Sequence, residues 1–309
     1  MTYLKRVKPI PVVILFVLHV MSIFFGLAGL LVMSPHPELY SGIPWLASLY
    51  PSAMLHGAEL QMILGAATMF AFGVYTIGPW KTGVFFAIGT ILPLGAELMG
   101  TGTGWPFGGY GYEGLLGAKL GGRVPYSVPL SWFYMGFASY LLAIAIVGAG
   151  KIRGRSVLTL LLGGWLLVAW DLVLDPAMAS PNMHIHFWDW HVNGVYFGMP
   201  LRNLVGWFGT GLVFMTLSRL LWFVDADARR IPAWLPFGMY LANTVWAMSL
   251  SLSVGLWQTA VAAIVFGLLP ASLVWRRHRT GSGSGEQQPG FAVESPLSPS
   301  RVSGPSLGR

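Results

Sequence analysis

Asp171 and Asp175 are four residues apart in the run WDLVLDPAM. On a helix that spacing puts both carboxyls on one face, and Pro176 helps to end the helix there. Two acids held together suit general acid–base chemistry, in which one delivers a proton and the other receives one. Glu97 closes a separate apolar run and leads into GTGTGWPFGGYGYEGLLGAKLGGRVPYSVPLSWFYMG, residues 100–136. This stretch combines glycine freedom with a large aromatic payload, Trp105, Phe107, Tyr110, Tyr112, Tyr126, Trp132 and Tyr134, and it also carries Lys119 and Arg123. An interfacial aromatic belt accounts for the rings alone but does not require Glu97, Lys119 and Arg123 among them, so a lined cavity is expected. A second polar region runs from Trp170 to Trp207 and adds Trp188, Trp190 and Tyr196 to the aspartate pair. The aspartates have a packing role open to them too, as partners of Arg123, Lys119 or Arg202.

The histidines invite a metal reading. His184, His186, Asp189 and His191 are ligand types for zinc or iron. They lie in a loop, however, and the HxxxH and HxxHH boxes of membrane di-iron oxygenases are missing, so solvated or hydrogen-bonded histidines and no bound metal are expected. His56 and Glu59 share a helical face and read as a structural pair that could join the site, while His19, alone in the first apolar run, reads as packing. With no cysteine, thiolate metal sites, disulfides and cysteine nucleophiles are excluded.

The elements that must position these groups are membrane helices. Only 9% of the 309 residues are charged and 55% are hydrophobic, too few polar groups to coat a soluble protein of this size. Forty glycines and 14 tryptophans suit close-packed spans with interfacial anchors. Eight segments of spanning length stand at 10–33, 54–78, 82–99, 130–149, 156–177, 201–223, 232–253 and 256–275, an all-α polytopic bundle. The first, behind Lys5, Arg6 and Lys8, reads as an anchor rather than a cleaved signal. If the spans alternate, those three, Lys81, Lys151, Arg153, Arg155, Arg219, Arg229, Arg230, Arg276, Arg277 and Arg279 share one face, against Lys119, Arg123 and Arg202 on the other. The positive-inside rule then puts both termini in the cytoplasm and the 34–53, 100–129 and 178–200 loops together on the far face of the inner or plasma membrane. Orientation also explains the net charge of +7, so no nucleic-acid partner is expected. Residues 1–279 are read as one membrane catalytic domain, and the Gly-, Ser- and Pro-rich 280–309 as a disordered cytoplasmic tail.

Four segments in order, GWPFGGYGY, LGAKLGGRVPYSVPLSWFYMGF, WDLVLDPAM and GVYFGMPLRNLVGW, resemble the membrane carotenoid 1′,2′-hydratase family, which includes gamma-carotene 1′-hydroxylase and bisanhydrobacterioruberin hydratases. The likeness covers roughly residues 50–225. It implies addition of water to the terminal double bond of an acyclic, psi-type carotenoid end, giving a tertiary alcohol without cofactor or dioxygen. Lys119, Arg123, Asp171, Asp175, Asn203 and Trp207 fall in these segments, and Glu97 lies seven residues before the first, inside the same extent of likeness. The histidines of MHIHFWDWH look like a variable part.

Such a hydration protonates the less substituted carbon and leaves a tertiary cation for water to capture. Glu97, Asp171 and Asp175 are candidates for the acid, since burial lets a carboxyl hold a proton at neutral pH. A second carboxylate, kept ionised by Lys119 or Arg123, takes the proton of the attacking water. Aromatic faces stabilise the cation without trapping it, by about 2 kcal/mol or more per desolvated ring. Trp105, Trp132, Tyr134, Trp188, Trp190 and Tyr196 are the rings chosen for that, with Tyr110, Tyr112, Asn203 and Trp207 completing the substrate site. The partners implied are the polyene, water, the bilayer and other enzymes of carotenoid synthesis. Two rival readings remain: a prenyltransferase, suggested by the DxxxD spacing but lacking a second aspartate-rich motif, and a non-enzymatic lipid- or carotenoid-binding membrane protein.

Overall fold

Within hydrocarbon an apolar chain can satisfy its own peptide groups as helix, and all eight predicted segments are helical. A computed structural model describes residues 9–148, 154–222 and 231–282. Helix α1 (Ile10–Ala28) continues through a π turn at Gly29–Met33; a short α2 (Glu38–Ser41) leads to α3 (Pro44–Ile77) and α4 (Pro79–Thr103). After the 104–126 loop come α5 (Ser127–Val147), α6 (Arg155–Met178), α7 (Leu201–Leu220) and α8 (Trp234–Ser253). The last rod is α9 (Trp257–Ala263), a π turn at Ile264–Leu268 and α10 (Leu269–Ser282). Six stretches are long and apolar enough to cross a membrane: Ile10–Met33, Pro44–Ile77, Pro79–Thr103, Ser127–Val147, Arg155–Met178 and Trp257–Trp275. The expected count of eight falls to six by this measure. Helix α7 is diluted by Arg202, Asn203 and Arg219, and α8 by Asn243 and its serines.

Three boundaries differ from expectation in ways that matter for the site. Helix α3 starts at Pro44, where a missing N–H costs nothing, and runs through Pro51. Its 34 residues measure about 51 Å against a hydrocarbon core of about 30 Å, so the helix is longer than one crossing needs. Helix α4 continues to Thr103 before Gly104, at φ 77°, turns the chain, so Glu97 sits inside the helix rather than at its end. Helix α6 is not ended by Pro176 but runs on to Met178. Proline cannot donate to the Leu172 carbonyl; that carbonyl accepts the Tyr196 hydroxyl at 3.2 Å instead.

Helix α5 is buried along nearly its whole length, packed by α3, α4, α6 and α8. At one end of the bundle Trp222 Nε1 donates to the Lys81 carbonyl (3.0 Å), Trp80 Nε1 to that of Leu221 (3.2 Å), and Arg219 to Ser156 Oγ. The Lys81, Arg155 and Arg219 ends therefore meet at one end, as the charge pattern requires. Lys5, Arg6, Lys8, Lys151, Arg153, Arg229, Arg230 and the tail from residue 283 lie outside the described residues, as do the side chains of Arg276, Arg277 and Arg279; Thr280–Ser282, assigned to the tail, continue α10. The other end is not the plain loop an all-helical reading implies. There β1 (Tyr110–Tyr112) pairs antiparallel with β4 (Trp188–Trp190), and β2 (Lys119–Leu120) with β3 (Val124–Pro125).

Candidate active site

The β1–β4 pair joins the two polar regions: Tyr110 faces Trp190 and Tyr112 faces Trp188 across the ladder. Side chains alternate along a strand, so these four rings share one face while Gly111 and Asp189 take the other. The aromatic face closes over a cavity lined by residues of α3 to α8. Ring centroids are 5.2 Å apart for Tyr110 and Trp190 and 5.9 Å for Tyr112 and Trp188.

Three donors converge on Glu97, which is 3% exposed. Trp132 Nε1 donates to Oε1 at 2.9 Å, Tyr112 to Oε2 at 2.8 Å, and Tyr110 also to Oε2. Burial, with the Glu97 charge beside them, pushes both phenols well above the ordinary tyrosine range, so both remain protonated donors. The second acidic centre is on α6, where the four-residue spacing does place both aspartates on one face. Asn203, near the start of α7, spreads one amide nitrogen across them, at 2.9 Å from Asp171 Oδ2 and 2.5 Å from Asp175 Oδ2. Asp175 lines the cavity; Asp171 is fully buried outside that lining, its Oδ1 without a hydrogen-bond partner among the described residues.

Aromatic surface fills the rest. Trp132 and Trp207 stack at 3.9 Å with an interplanar angle of 22°, and Trp170 meets Trp207 edge-on at 6.0 Å. Tyr134 contributes its ring to the wall while its hydroxyl donates to Asn243 Oδ1 (3.2 Å). Asn243 Nδ2 lies 3.1 Å from His19 Nε2, and His19 Nδ1 lies 3.0 Å from the Gln61 carbonyl. His19 is thus a fully hydrogen-bonded tie between α1, α3 and α8, in keeping with packing. Two indole N–H groups on the wall, those of Trp190 and Trp246, are buried without a partner among the described residues.

The cavity collects Glu97, Asp175, Tyr110, Tyr112, Trp132, Tyr134, Trp188, Trp190, Asn203 and Trp207, with Asp171 behind Asp175. Four expected members are elsewhere. Trp105 is 54% exposed, on the turn that follows α4. Lys119 and Arg123 are exposed beside the β2–β3 hairpin, Lys119 donating to the Tyr112 carbonyl; neither is ion-paired to a carboxylate among the described residues. Asn203, not a cation, holds the aspartates. Tyr196 is committed to the Leu172 carbonyl, and burial, with Asp171 nearby, pushes its phenol up to about 12. His56 and Glu59 form a pair at 3.1 Å, and Tyr126 donates to Glu59 at 2.5 Å, which ties the 104–126 loop to α3 away from the cavity. His186 and Asp189 approach to 3.5 Å on an open outer surface. Sequence reasoning missed Gln61, Trp170 and Trp246 as wall residues; Gln61, a lone amide inside an apolar run, was the readable signal.

Residues 57–270 match the model of a family described as "Carotenoid biosynthesis protein". A bisanhydrobacterioruberin hydratase of Haloarcula japonica is 32% identical over 145 residues, 47% of this chain and 47% of that protein, so the match spans about half the relative's length. No solved structure matches the chain.

Proposed function

Because the chain belongs to the carotenoid biosynthesis protein family, we propose that it is a carotenoid 1′,2′-hydratase, adding water to the terminal double bond of a psi end group. One observation carries the reading: two separately held carboxyl centres, Glu97 and the Asp171–Asp175 pair, reach the same aromatic cavity. The name of the Haloarcula relative agrees with it.

Asp175 is the acid. It reaches the cavity, and Asp171 behind it, on the same Asn203 amide, is the second carboxyl of a pair that can hold one proton between them. Transfer of that proton to carbon 2′ consumes the alkene π pair and leaves a tertiary cation at carbon 1′. The stacked Trp132 and Trp207, with the Tyr110, Tyr112, Trp188 and Trp190 rings above, offer π faces to that cation and no competing nucleophile. Water adds its oxygen to carbon 1′, and its released proton passes to Glu97, whose place is fixed by three donors. The unpartnered Trp190 N–H on the wall is a donor that can hold the incoming water. Proton return from Glu97 to the aspartates closes the cycle, with no net change of charge or redox state.

In this reading α7 and α8 also cross the bilayer, giving eight spans in the plasma membrane with both termini cytoplasmic, and residues 1–279 form the catalytic domain. The polyene reaches the site from the bilayer and only water comes from outside. The prenyltransferase alternative is the weaker reading, because the two aspartates share Asn203 and the sequence carries no second aspartate-rich motif.

The origin of the hydroxyl oxygen tests the proposal. In anaerobic membranes supplied with an acyclic carotenoid, turnover should continue, with oxygen taken from labelled water and one deuterium entering at carbon 2′ from heavy water. Product oxygen that tracks labelled dioxygen would end the hydratase reading.

A further inference from the structure

A second cavity adjoins the catalytic one on the side of the first helical rod. This second cavity shares five wall residues with the first: Gln61, Met62, Leu116, Met178 and Trp246. Its other walls include Gly26 and Leu30 on the first helical rod and Ala53, Met54, Gly57 and Ala58 on α3. Apart from Gln61 this wall is apolar, in contrast to the acidic first cavity. Its α1 side includes Leu30, within the π turn Gly29–Met33, and such local widening of a helix is frequent at functional sites.

We infer that this second cavity is the lateral passage that holds the polyene body while its end group sits between Glu97 and Asp175, and that Gly57 keeps the passage open; the substrate assigned here rests on the hydratase reading. Three observations carry the assignment. The shared wall makes the two cavities neighbours, with Gln61 and the unpartnered Trp246 N–H as polar markers at their junction. A polyene is far longer than the catalytic cavity, so a substrate whose end is inside must leave through a wall, and this wall is the apolar one. Gly57 is 20 residues from Ile77, the last residue of α3, about 30 Å along the helix and so one hydrocarbon thickness from it. Ala53, one turn further out, is exposed.

Gly57 is the position to perturb, because a Cβ added there meets nothing within 4 Å: a side chain can be accommodated by the fold and would project into open space. Gly95, on α4 and outside both cavities, has equally open space and serves as the control. Gly57→Phe should lower turnover of a full-length acyclic carotenoid about tenfold or more, while Gly95→Phe stays within about twofold of the parent. Hydration of a ten-carbon alkene with the same dimethyl end should be spared in Gly57→Phe. Equal turnover of the long substrate in both variants, or equal loss of long and short substrates in Gly57→Phe, overturns the passage.

A binding measurement separates failure of this inference from failure of the hydratase reading. The chain has no cysteine, so Gly57→Cys offers a single thiol. Lycopene should protect it from an apolar maleimide and leave a Gly95→Cys thiol reactive. Protection without hydration by the parent protein would keep the passage and remove the hydratase; hydration without protection would do the reverse.

Discussion

Glu97→Gln is the most informative single change, because it alters the hydrogen-bond character of one oxygen position and almost nothing in volume. In the native protein Oε1 accepts from Trp132 and Oε2 from both Tyr112 and Tyr110. A glutamine must turn its NH₂ toward one of these groups. Facing Trp132 it would set donor against donor, since an indole N–H cannot accept. Facing the phenols it keeps the carbonyl on Trp132, and a tyrosine hydroxyl can rotate to accept. The variant should therefore settle in the second orientation, losing about 1–3 kcal/mol for the imperfectly paired buried groups and still folding. Loss of a general base costs about 10²–10⁴-fold in rate. The assay is pigment extraction from lycopene-making membranes that express the variant at parental level, with a thermal melt in detergent as the folding control. Hydration within about threefold of the parent, in a protein that melts normally, would refute the assignment of Glu97 as the proton acceptor.

Other consequences follow from the same geometry. Asp175→Asn, with Asp171→Asn beside it, should abolish turnover while the protein inserts and folds, whereas His184→Ala and His186→Ala, on the outer surface, should retain it; activity lost in the histidine variants and restored by added metal would point to a different chemistry. Single cysteines at 105 and 153 should label from opposite sides of sealed vesicles, and labelling of both from one side would overturn the topology. Stability should respond to alkali through Tyr196. A free phenol ionises near 10 and this one only at about 12, so within that window the unfolded chain gives up a proton that the folded protein retains. Stability must then fall as pH rises through the window, and the fall should be shallower in Tyr196→Phe; melting curves across that range read it directly.

Composition and periodicity determined the material of this protein. Scarce charge and eight long apolar runs leave helix as the state that satisfies the backbone, and every run is helical. The aspartate pair was legible too, because a four-residue spacing on a helix has one geometric outcome. So was the presence of an acidic and aromatic site, since a glutamate and two aspartates do not lie beside hydrocarbon without cause. What the linear pattern could not contain was which loop residue faces inward. Tyr110 and Tyr112 line the cavity because β1 pairs with β4, a contact across about 80 residues whose alternation then sorts the side chains, while Trp105, on the turn after α4, is exposed. The partner of the aspartates was equally hidden: charge alone nominates Lys119 or Arg123, yet Asn203 holds them, because α7 packs along α6 and brings its first turn against the acids. Long-range packing also made Tyr196 a substitute donor for a carbonyl that Pro176 abandons, and placed Gln61 and Trp246 where two cavities meet. Local spacing determines which face of its own helix a side chain occupies; only the arrangement of the other helices decides what that face meets.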